Sequence, residues 1–351
     1  MIRTVVLGIG SYVPERVVTN DEIRFLNDKH EICEEAQTET NDEWIQARTG
    51  VKERRYVDND GTTACSDLGA QAARVALADA GVDAKDVDCI IFATLSPDIH
   101  FPGSGVFMQT KLGINEGSCP CYDIRQQCSG FLYGMQMADA FIRTKMYQRV
   151  LLVGAELHSH SLDFSTRGRD VMVLFGDGAG AFLFGPTESE DETLGVQYTD
   201  VHADGSGAKD LYLTVFDIAK LPYVWYDANN RDENQIKYPQ MNGKRVFLNA
   251  VRNMVISTNK ALADTGTTWD DIDWFVPHQA NLRINQKVAE VAGIPEEKIL
   301  NTIEIYGNTT AATVPLTIDY WRKQGKLNKG DRVLSTVFGS GFTWGSAIFT
   351  V

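Results

Sequence analysis

The chain has 351 residues, 43% hydrophobic and 23% charged, the balance of a soluble globular protein long enough for one large core or two fused ones. A net charge of −14 argues against non-specific nucleic-acid binding, which relies on positive surface to displace counterions. No apolar run approaches the roughly 20 residues a membrane helix needs, so no membrane association of that kind is expected.

In chain order, Met1 to Gly10 is a short apolar stretch with an early Arg3 and no small-residue cleavage site, and reads as a first strand, not a signal peptide. Ala76-Leu77-Ala78-Asp79-Ala80-Gly81 ends an amphipathic helix at a glycine suited to a C-cap; Asp86-Val87-Asp88 then leads into a buried strand over Cys89 to Ala93. The same text returns as Ala261-Leu262-Ala263-Asp264-Thr265-Gly266, then Asp271-Ile272-Asp273 and an apolar run from Trp274 to Pro277. A second echo pairs Phe175-Gly176-Asp177-Gly178-Ala179-Gly180 with Phe338-Gly339-Ser340-Gly341-Phe342, each read as strand, tight glycine turn, strand. A period of half the chain is too long for a solenoid and fits two duplicated α/β halves packed side by side, divided as 1–186 and 187–351. The aromatic and polar stretch from Phe216 to Pro239, with Tyr223, Trp225, Tyr226 and Tyr238, breaks the pattern and reads as an inserted loop region or cap.

The six cysteines are scattered, and no second Cys/His pair accompanies the Cys119-Pro120-Cys121 step at a zinc-like spacing; a reduced, cytoplasmic chain without a metal is expected. Cys128 stands apart. It lies between a strand-like Cys119 to Ile124 and a helix over Phe131 to Met146, whose Phe131, Met135, Ala138 and Ile142 share a face. At such a strand-to-helix turn the free N–H groups and the dipole favour thiolate over thiol, although most cytosolic cysteines simply pack. His278 follows a buried strand, and Asn308 follows Gly307 in a run of small residues. Taken singly, a histidine is commonly structural and a Gly-Asn pair commonly a turn. Together they supply a nucleophile, an imidazole and a fixed amide donor, a set suited to thioester chemistry. Backbone N–H groups at Cys128 and near Ser340 are placed to hold an oxyanion.

These residues resemble the β-ketoacyl-acyl carrier protein synthase III family of the thiolase-like superfamily, over nearly the whole chain. The likeness rests on Thr40-Asn41-Asp42-Glu43-Trp44-Ile45 with Arg48-Thr49-Gly50, Cys128-Ser129-Gly130-Phe131, the Phe175 to Gly180 run, His278-Gln279-Ala280-Asn281, Gly307-Asn308-Thr309, and Gly339 through Gly345. It implies a five-layered α-β-α-β-α thiolase-like fold from two similar halves, and a homodimer in which Phe101 reaches the partner's acyl pocket. It implies acyl transfer from a coenzyme A thioester to Cys128, then decarboxylative condensation with malonyl-acyl carrier protein, with no permanently bound cofactor. Trp44 and Arg169 would flank the adenine of coenzyme A, Arg48 would meet its phosphates, Gly243 and Phe247 would line the pantetheine tunnel beside Ala280 and Asn281, and Arg283 with Lys287 would dock the carrier protein.

The chain departs from that pattern at Gln126-Gln127, where small residues are usual, and in the longer Asn27 to Glu39 and Phe216 to Pro239 stretches, so a primer from acetyl to medium chain is expected. Glu290 and Val291 replace further docking lysines, with Lys244, Arg245 and Arg252 as candidates to compensate. The alternatives are a secondary-metabolic condensing enzyme or, from another class, a non-catalytic partner subunit. His100-Phe101-Pro102 lacks the glutamate of head-to-head enzymes, Gln126-Gln127 the general acid of a hydroxymethylglutaryl-CoA synthase, and Ser340 stands where a thiolase has a second cysteine.

Overall fold

Strand side chains alternate between faces, and here both faces are apolar. Along Cys89–Ala93, Cys89 and Ile91 enter one core while Ile90 and Phe92 enter another; along Gly178–Glu188, Phe182 and Phe184 part in the same way from Ala181 and Leu183. A sheet built of such strands must be covered twice. In the computed structural model the described residues are all but 28, 115–116, 215, 218–223 and 226–237, with side chains also left aside at 36, 216–217 and 224–225.

The first sheet has the order Ile2–Tyr12, Gly178–Glu188, Val150–Glu156, Cys89–Ala93, Cys121–Ile124. Its first two pairings are antiparallel and its last two parallel. The second sheet repeats the plan with Val196–Ala203, Thr343–Thr350, Arg332–Gly339 and Trp274–Pro277, paired antiparallel, antiparallel and parallel. Where the first sheet has its fifth strand, the second has a lone parallel bridge from Phe275 to Ile299. The duplicated text therefore folds into duplicated topology.

The layers follow from which faces share a core. Helix Cys65–Ala80 covers the outside of the first sheet through Leu68, Ala72, Ala73 and Ala76. Its small residues let the first strand approach closely: a Cβ on Gly10 would stand 2.5 Å from the Ala72 carbonyl oxygen. Helices Gly130–Arg143 and Thr313–Lys323 lie between the sheets, with Phe131, Leu132, Met135, Ala138, Ile142, Val314 and Ile318 meeting the inner faces of both. Helices Gly243–Thr265 and Leu282–Ala292 cover the outside of the second sheet against Phe275, Leu334, Phe338 and Ile348. The result is the expected order α-β-α-β-α. Each fully buried apolar side chain in these cores contributes about 1.5–3 kcal/mol relative to exposure.

The two repeated helices end alike. Gly81 and Gly266 take φ +64° and +63°; Val82 N–H bonds to Leu77 O and Thr267 N–H to Leu262 O, closing Schellman-type caps. Two sequence expectations need correction. The helix after Cys128 begins at Gly130, behind a 3₁₀ turn Gln127–Ser129, and ends at Arg143 rather than 146, where Lys145 takes φ +63°. The Phe175–Gly180 run does not begin with a strand: a short helix Arg169–Met172 precedes it, and Phe175 makes only an isolated bridge to Asn308. The cause is Asp177, whose buried carboxylate accepts N–H bonds from Val57, His158 and Ser159 and so pins the segment crosswise. The proposed Phe216 to Pro239 cap lies largely outside the described residues; within it Phe216–Asp217 pairs antiparallel with Val224–Trp225.

Among the described residues no helix is long and apolar enough to cross a membrane. All six cysteines are free.

Candidate active site

The parallel strand Cys121–Ile124 delivers the chain to Cys128 in the 3₁₀ turn Gln127–Ser129, and the helix Gly130–Arg143 leads away from it into the middle layer. The preceding Gln127 is held at φ +45°, sparsely populated for a residue with a side chain. From the second half, strand Arg332–Gly339 ends against the cysteine: a Cβ on Gly339 would stand 3.2 Å from both Cys128 Cβ and its backbone N. Glycine there lets the strand end approach the backbone of the nucleophile turn. Ser340 follows immediately, in the turn before Thr343–Thr350.

His278 leaves the end of strand Trp274–Pro277, its N–H bonded to Thr336 O at 2.9 Å. Its Nδ1 lies 2.8 Å from the Thr313 hydroxyl oxygen, and its buried Nε2 has no hydrogen-bond partner among the described residues. The next residue, Gln279, is fully buried and ties the loop down: its amide donates to Pro277 O, and its oxygen accepts the N–H groups of Thr302 and Ile303. Asn308 follows Gly307, whose φ of +63° and ψ of −159° suit glycine alone. Asn308 N–H bonds to Leu174 O at 2.7 Å and its carbonyl accepts from Gly176 N–H at 3.1 Å. Its side-chain oxygen accepts Thr310 N–H at 2.8 Å, which leaves the amide nitrogen as the free end.

Cys128, His278 and Asn308 meet in one cavity of ≈ 180 Å³. The walls are mainly apolar, including Leu174, Val246, Phe247 and Met254, with Gly243, Ala280 and Asn281 further along and Trp44 and Arg48 also in the lining. The Arg48 guanidinium lies 4.1 Å and that of Arg169 5.3 Å from the Trp44 ring centre. Arg169 also donates to Glu39 O at 3.0 Å. Asn281 caps helix Leu282–Ala292 and donates to Arg48 O at 3.0 Å, joining that helix to Asp42–Thr49. Outside the cavity, Arg283 is exposed, Lys287 is paired with Glu290 at 2.7 Å, and Phe101 is 78% exposed.

Burial dominates the electrostatics. Burial first and the nearby Glu156 second push the Cys128 thiol up to about 12, so it is protonated at neutral pH. The thiolate-favouring effect expected of a helix start is outweighed by loss of water around the sulfur. His278 is lowered to about 3 by burial and stays a neutral imidazole. Glu156 is raised to about 7 by burial, while the Ser96 hydroxyl donates to it at 2.7 Å. Sequence reading missed Gln279 as an anchor, Thr313 as the partner of His278, and Glu156, His158 and Thr310 behind the cysteine. The residues were visible, but contacts such as Glu156 with Ser96 or His278 with Thr313 join distant segments and have no local signal.

A neutral imidazole nitrogen, an amide nitrogen and a thiol converging in an apolar cavity can take up an acyl group and hold an oxyanion without exchanging charge with water. Two sequence-family profiles match the chain: "3-Oxoacyl-[acyl-carrier-protein (ACP)] synthase III" over residues 122–205, and the C-terminal domain of the same enzyme over residues 262–351. A β-ketoacyl-[acyl-carrier-protein] synthase III of Rhizobium meliloti (strain 1021) is 40% identical over 350 residues, covering 99% of each chain. The crystal structure of the synthase III of Thermus thermophilus superposes with a TM-score of 0.85 at 37% identity, covering 99% of both chains. That from Aquifex aeolicus VF5 gives 0.84 at 34% identity over 99% of this chain and 100% of its own. The chain belongs to the β-ketoacyl-acyl carrier protein synthase III family, with its thiolase-like fold.

Proposed function

We propose that this condensing enzyme loads an acyl group from coenzyme A onto Cys128 and extends it with malonyl-acyl carrier protein in fatty acid biosynthesis. The observation that carries the reading is the convergence of Cys128, Asn308 and the partnerless Nε2 of His278 in an apolar cavity that also reaches Trp44 and Arg48. Half 1–186 supplies the nucleophile and half 187–351 the two donors.

In the first step the Cys128 sulfur attacks the thioester carbonyl and gives up its proton. The oxyanion is held by the backbone N–H groups of Cys128 and Ser340, and the coenzyme leaves as its thiol, restoring the proton balance. In the second step the malonyl thioester loses carbon dioxide. Its carbonyl becomes an enolate held by Nε2–H of His278 and the amide of Asn308, and the new carbanion attacks the acyl carbonyl on Cys128. The acyl carbon–sulfur bond to Cys128 breaks, the β-ketoacyl thioester departs, and the released thiolate takes one proton from solvent. No step is routed through a metal or a resident cofactor.

At the Trp44 end the indole and Arg169 bind adenine and Arg48 the phosphates. Two stacking contacts need about 7 Å, so adenine enters by moving the Arg169 guanidinium out from its 5.3 Å position. Gly243, Phe247, Ala280 and Asn281 flank the pantetheine arm. Exposed Arg283 is the docking cation for the acidic carrier protein, Lys287 being drawn off by Glu290. Exposure of Phe101 supports a homodimer in which it closes the partner's acyl pocket. The enzyme acts in the cytoplasm on primers from acetyl to medium chain. Incubation with acyl-CoA thioesters from acetyl to decanoyl, followed by malonyl-acyl carrier protein, tests the reading: β-ketoacyl-carrier product supports it, and none with any primer contradicts it.

A further inference from the structure

We propose that Thr310, held by His158, is the positioning residue that supplies a hydroxyl donor to the Cys128 sulfur and ties the cysteine to Asn308 and His278. The inference rests on Cys128 being the nucleophile and adds two residues to that reading.

Thr310 is fully buried at the start of the turn Thr310–Ala312, with φ +50°, a conformation unfavourable for a β-branched residue. Such a conformation persists only where the surroundings over-determine it, and here each polar atom of the residue is committed. Its N–H donates to Asn308 Oδ1 at 2.8 Å. Its carbonyl lies 3.0 Å from the Thr313 hydroxyl, which in turn touches Nδ1 of His278. Its own hydroxyl oxygen lies 2.6 Å from Nε2 of His158, and the turn Thr310–Ala312 packs directly against the turn Gln127–Ser129 that carries Cys128, so that the hydroxyl faces the thiol it helps to ionise. One residue thus contacts all three reacting groups directly or through one hydroxyl.

His158 is built to hold that hydroxyl. It is buried, its N–H is anchored on Asp177 at 2.7 Å, and its ring packs on Phe175 with centroids 4.7 Å apart. Burial keeps the ring neutral, lowering it to about 3. When Nε2–H donates to the Thr310 oxygen, the single hydroxyl proton of Thr310 is left for the sulfur. A donor aimed at a thiolate favours the ionised form and offsets part of the desolvation. A histidine that merely filled space would need Phe175 and Asp177, but not a 2.6 Å hydroxyl partner.

The other titratable groups around the turn do not replace it. Glu156, on the strand behind, disfavours the thiolate. His278 is neutral. On helix Gly130–Arg143, Tyr133 donates to His202 O, while Asp139 and Arg143 pair with each other; Arg332 lies at the far end of the strand whose Gly339 touches Cys128.

The test is the rate of Cys128 alkylation by iodoacetamide between pH 6 and 10, read at that residue by peptide mass spectrometry, with folding checked by near-ultraviolet circular dichroism. Thr310→Val, which keeps the branch and removes the hydroxyl, is expected to move the profile about one unit to higher pH, slowing alkylation at pH 8 about tenfold. His158→Phe is expected to do the same, whereas Thr310→Ser and His158→Gln, which keep a hydroxyl and a side-chain donor, stay near wild type. Folded Thr310→Val or His158→Phe with the wild-type profile overturns the proposal, as does a shift in Thr310→Ser equal to that in Thr310→Val. If Thr310→Val does not fold, Thr310→Ala against Thr310→Ser gives the same comparison. Failure of wild-type Cys128 to take an acyl group refutes its nucleophilic role whatever the profile; normal acylation with an unmoved profile refutes the Thr310 assignment alone.

Discussion

Nδ1 of His278 lies 2.8 Å from the hydroxyl oxygen of Thr313, and the opposite ring nitrogen has no partner among the described residues. The hydroxyl has one proton and two acceptors in reach, Nδ1 and, at 3.0 Å, the Thr310 carbonyl. Given to Nδ1, it leaves Nε2–H as a donor facing the cavity. Since burial keeps the ring neutral, protonation from solvent does not override that choice. Thr313 therefore sits where the tautomer is decided: Nε2–H is available to an enolate when the Thr313 proton goes to Nδ1 and not to the Thr310 carbonyl.

The division of labour at the site is testable by separating its two steps. His278→Ala and Asn308→Ala are expected to leave acylation of Cys128 intact and to slow malonyl decarboxylation by about 10²–10³-fold, the usual effect of removing one oxyanion donor. Thr313→Val should fall in the same class with a smaller loss. Single-turnover acylation and release of labelled carbon dioxide measure the steps separately; a variant that lost acylation and kept decarboxylation would reverse the assigned roles.

Gly307 places Asn308 by a backbone conformation that other residues avoid. A Cβ there would stand 2.7 Å from Leu174 O, the acceptor of the Asn308 N–H. Gly307→Ala is expected to cost about 1–3 kcal/mol of stability and to reduce decarboxylation more than acylation. Urea unfolding alongside the two single-step assays checks both parts.

Much of this architecture was legible. The repeated Ala-Leu-Ala-Asp text ending at Gly81 and Gly266 announced two copies of one unit, because a helix closed by an αL glycine and followed by a buried strand is a local pattern. Cys128, His278 and Asn308 stood out as candidates because each sits at an element end, Cys128 and Asn308 beside small residues and His278 between a buried strand and a polar run. The Phe175–Gly180 run was misread because glycines and apolar residues imitate a hairpin, while the anchoring of Asp177 on Val57 and His158 is long-range. The protonation of Cys128 was misjudged for the same reason: helix position is local, but depth of burial is set by both halves. Thr310 and Thr313 looked like two more small residues in a loop.

Trp44 is expected to act in binding alone. Trp44→Ala should raise KM for acyl-CoA while leaving kcat for the loaded enzyme nearly unchanged, since the ring lines the cavity beside Arg48 and Arg169 and takes no part in either chemical step. Steady-state kinetics with acetyl-CoA decides it; a fall in kcat with KM unaltered would remove Trp44 from the coenzyme site.

Glu156 gives the fold a pH signature. Its folded pKa of about 7 stands above the ordinary 4.5, so its stabilisation is complete below pH 4.5 and is lost as pH rises through 7. Glu156→Gln removes this loss. Relative to wild type, the variant should gain about 1.4 kcal/mol per pH unit across that window, about 3 kcal/mol in all, on top of any constant offset from the altered hydrogen bonds. Denaturant unfolding of both proteins between pH 4.5 and 8 reads the difference; parallel curves would show that Glu156 ionises normally.

The central claim is that Cys128 carries the acyl group. Intact-mass spectrometry after incubation with acyl-CoA thioesters from acetyl to decanoyl, followed by peptide mapping, tests it most directly. The expected result is a single acyl adduct on Cys128, absent in Cys128→Ser because an alcohol at this site has no base strong enough to activate it. No adduct with any thioester, or an adduct that persists in Cys128→Ser, would contradict it.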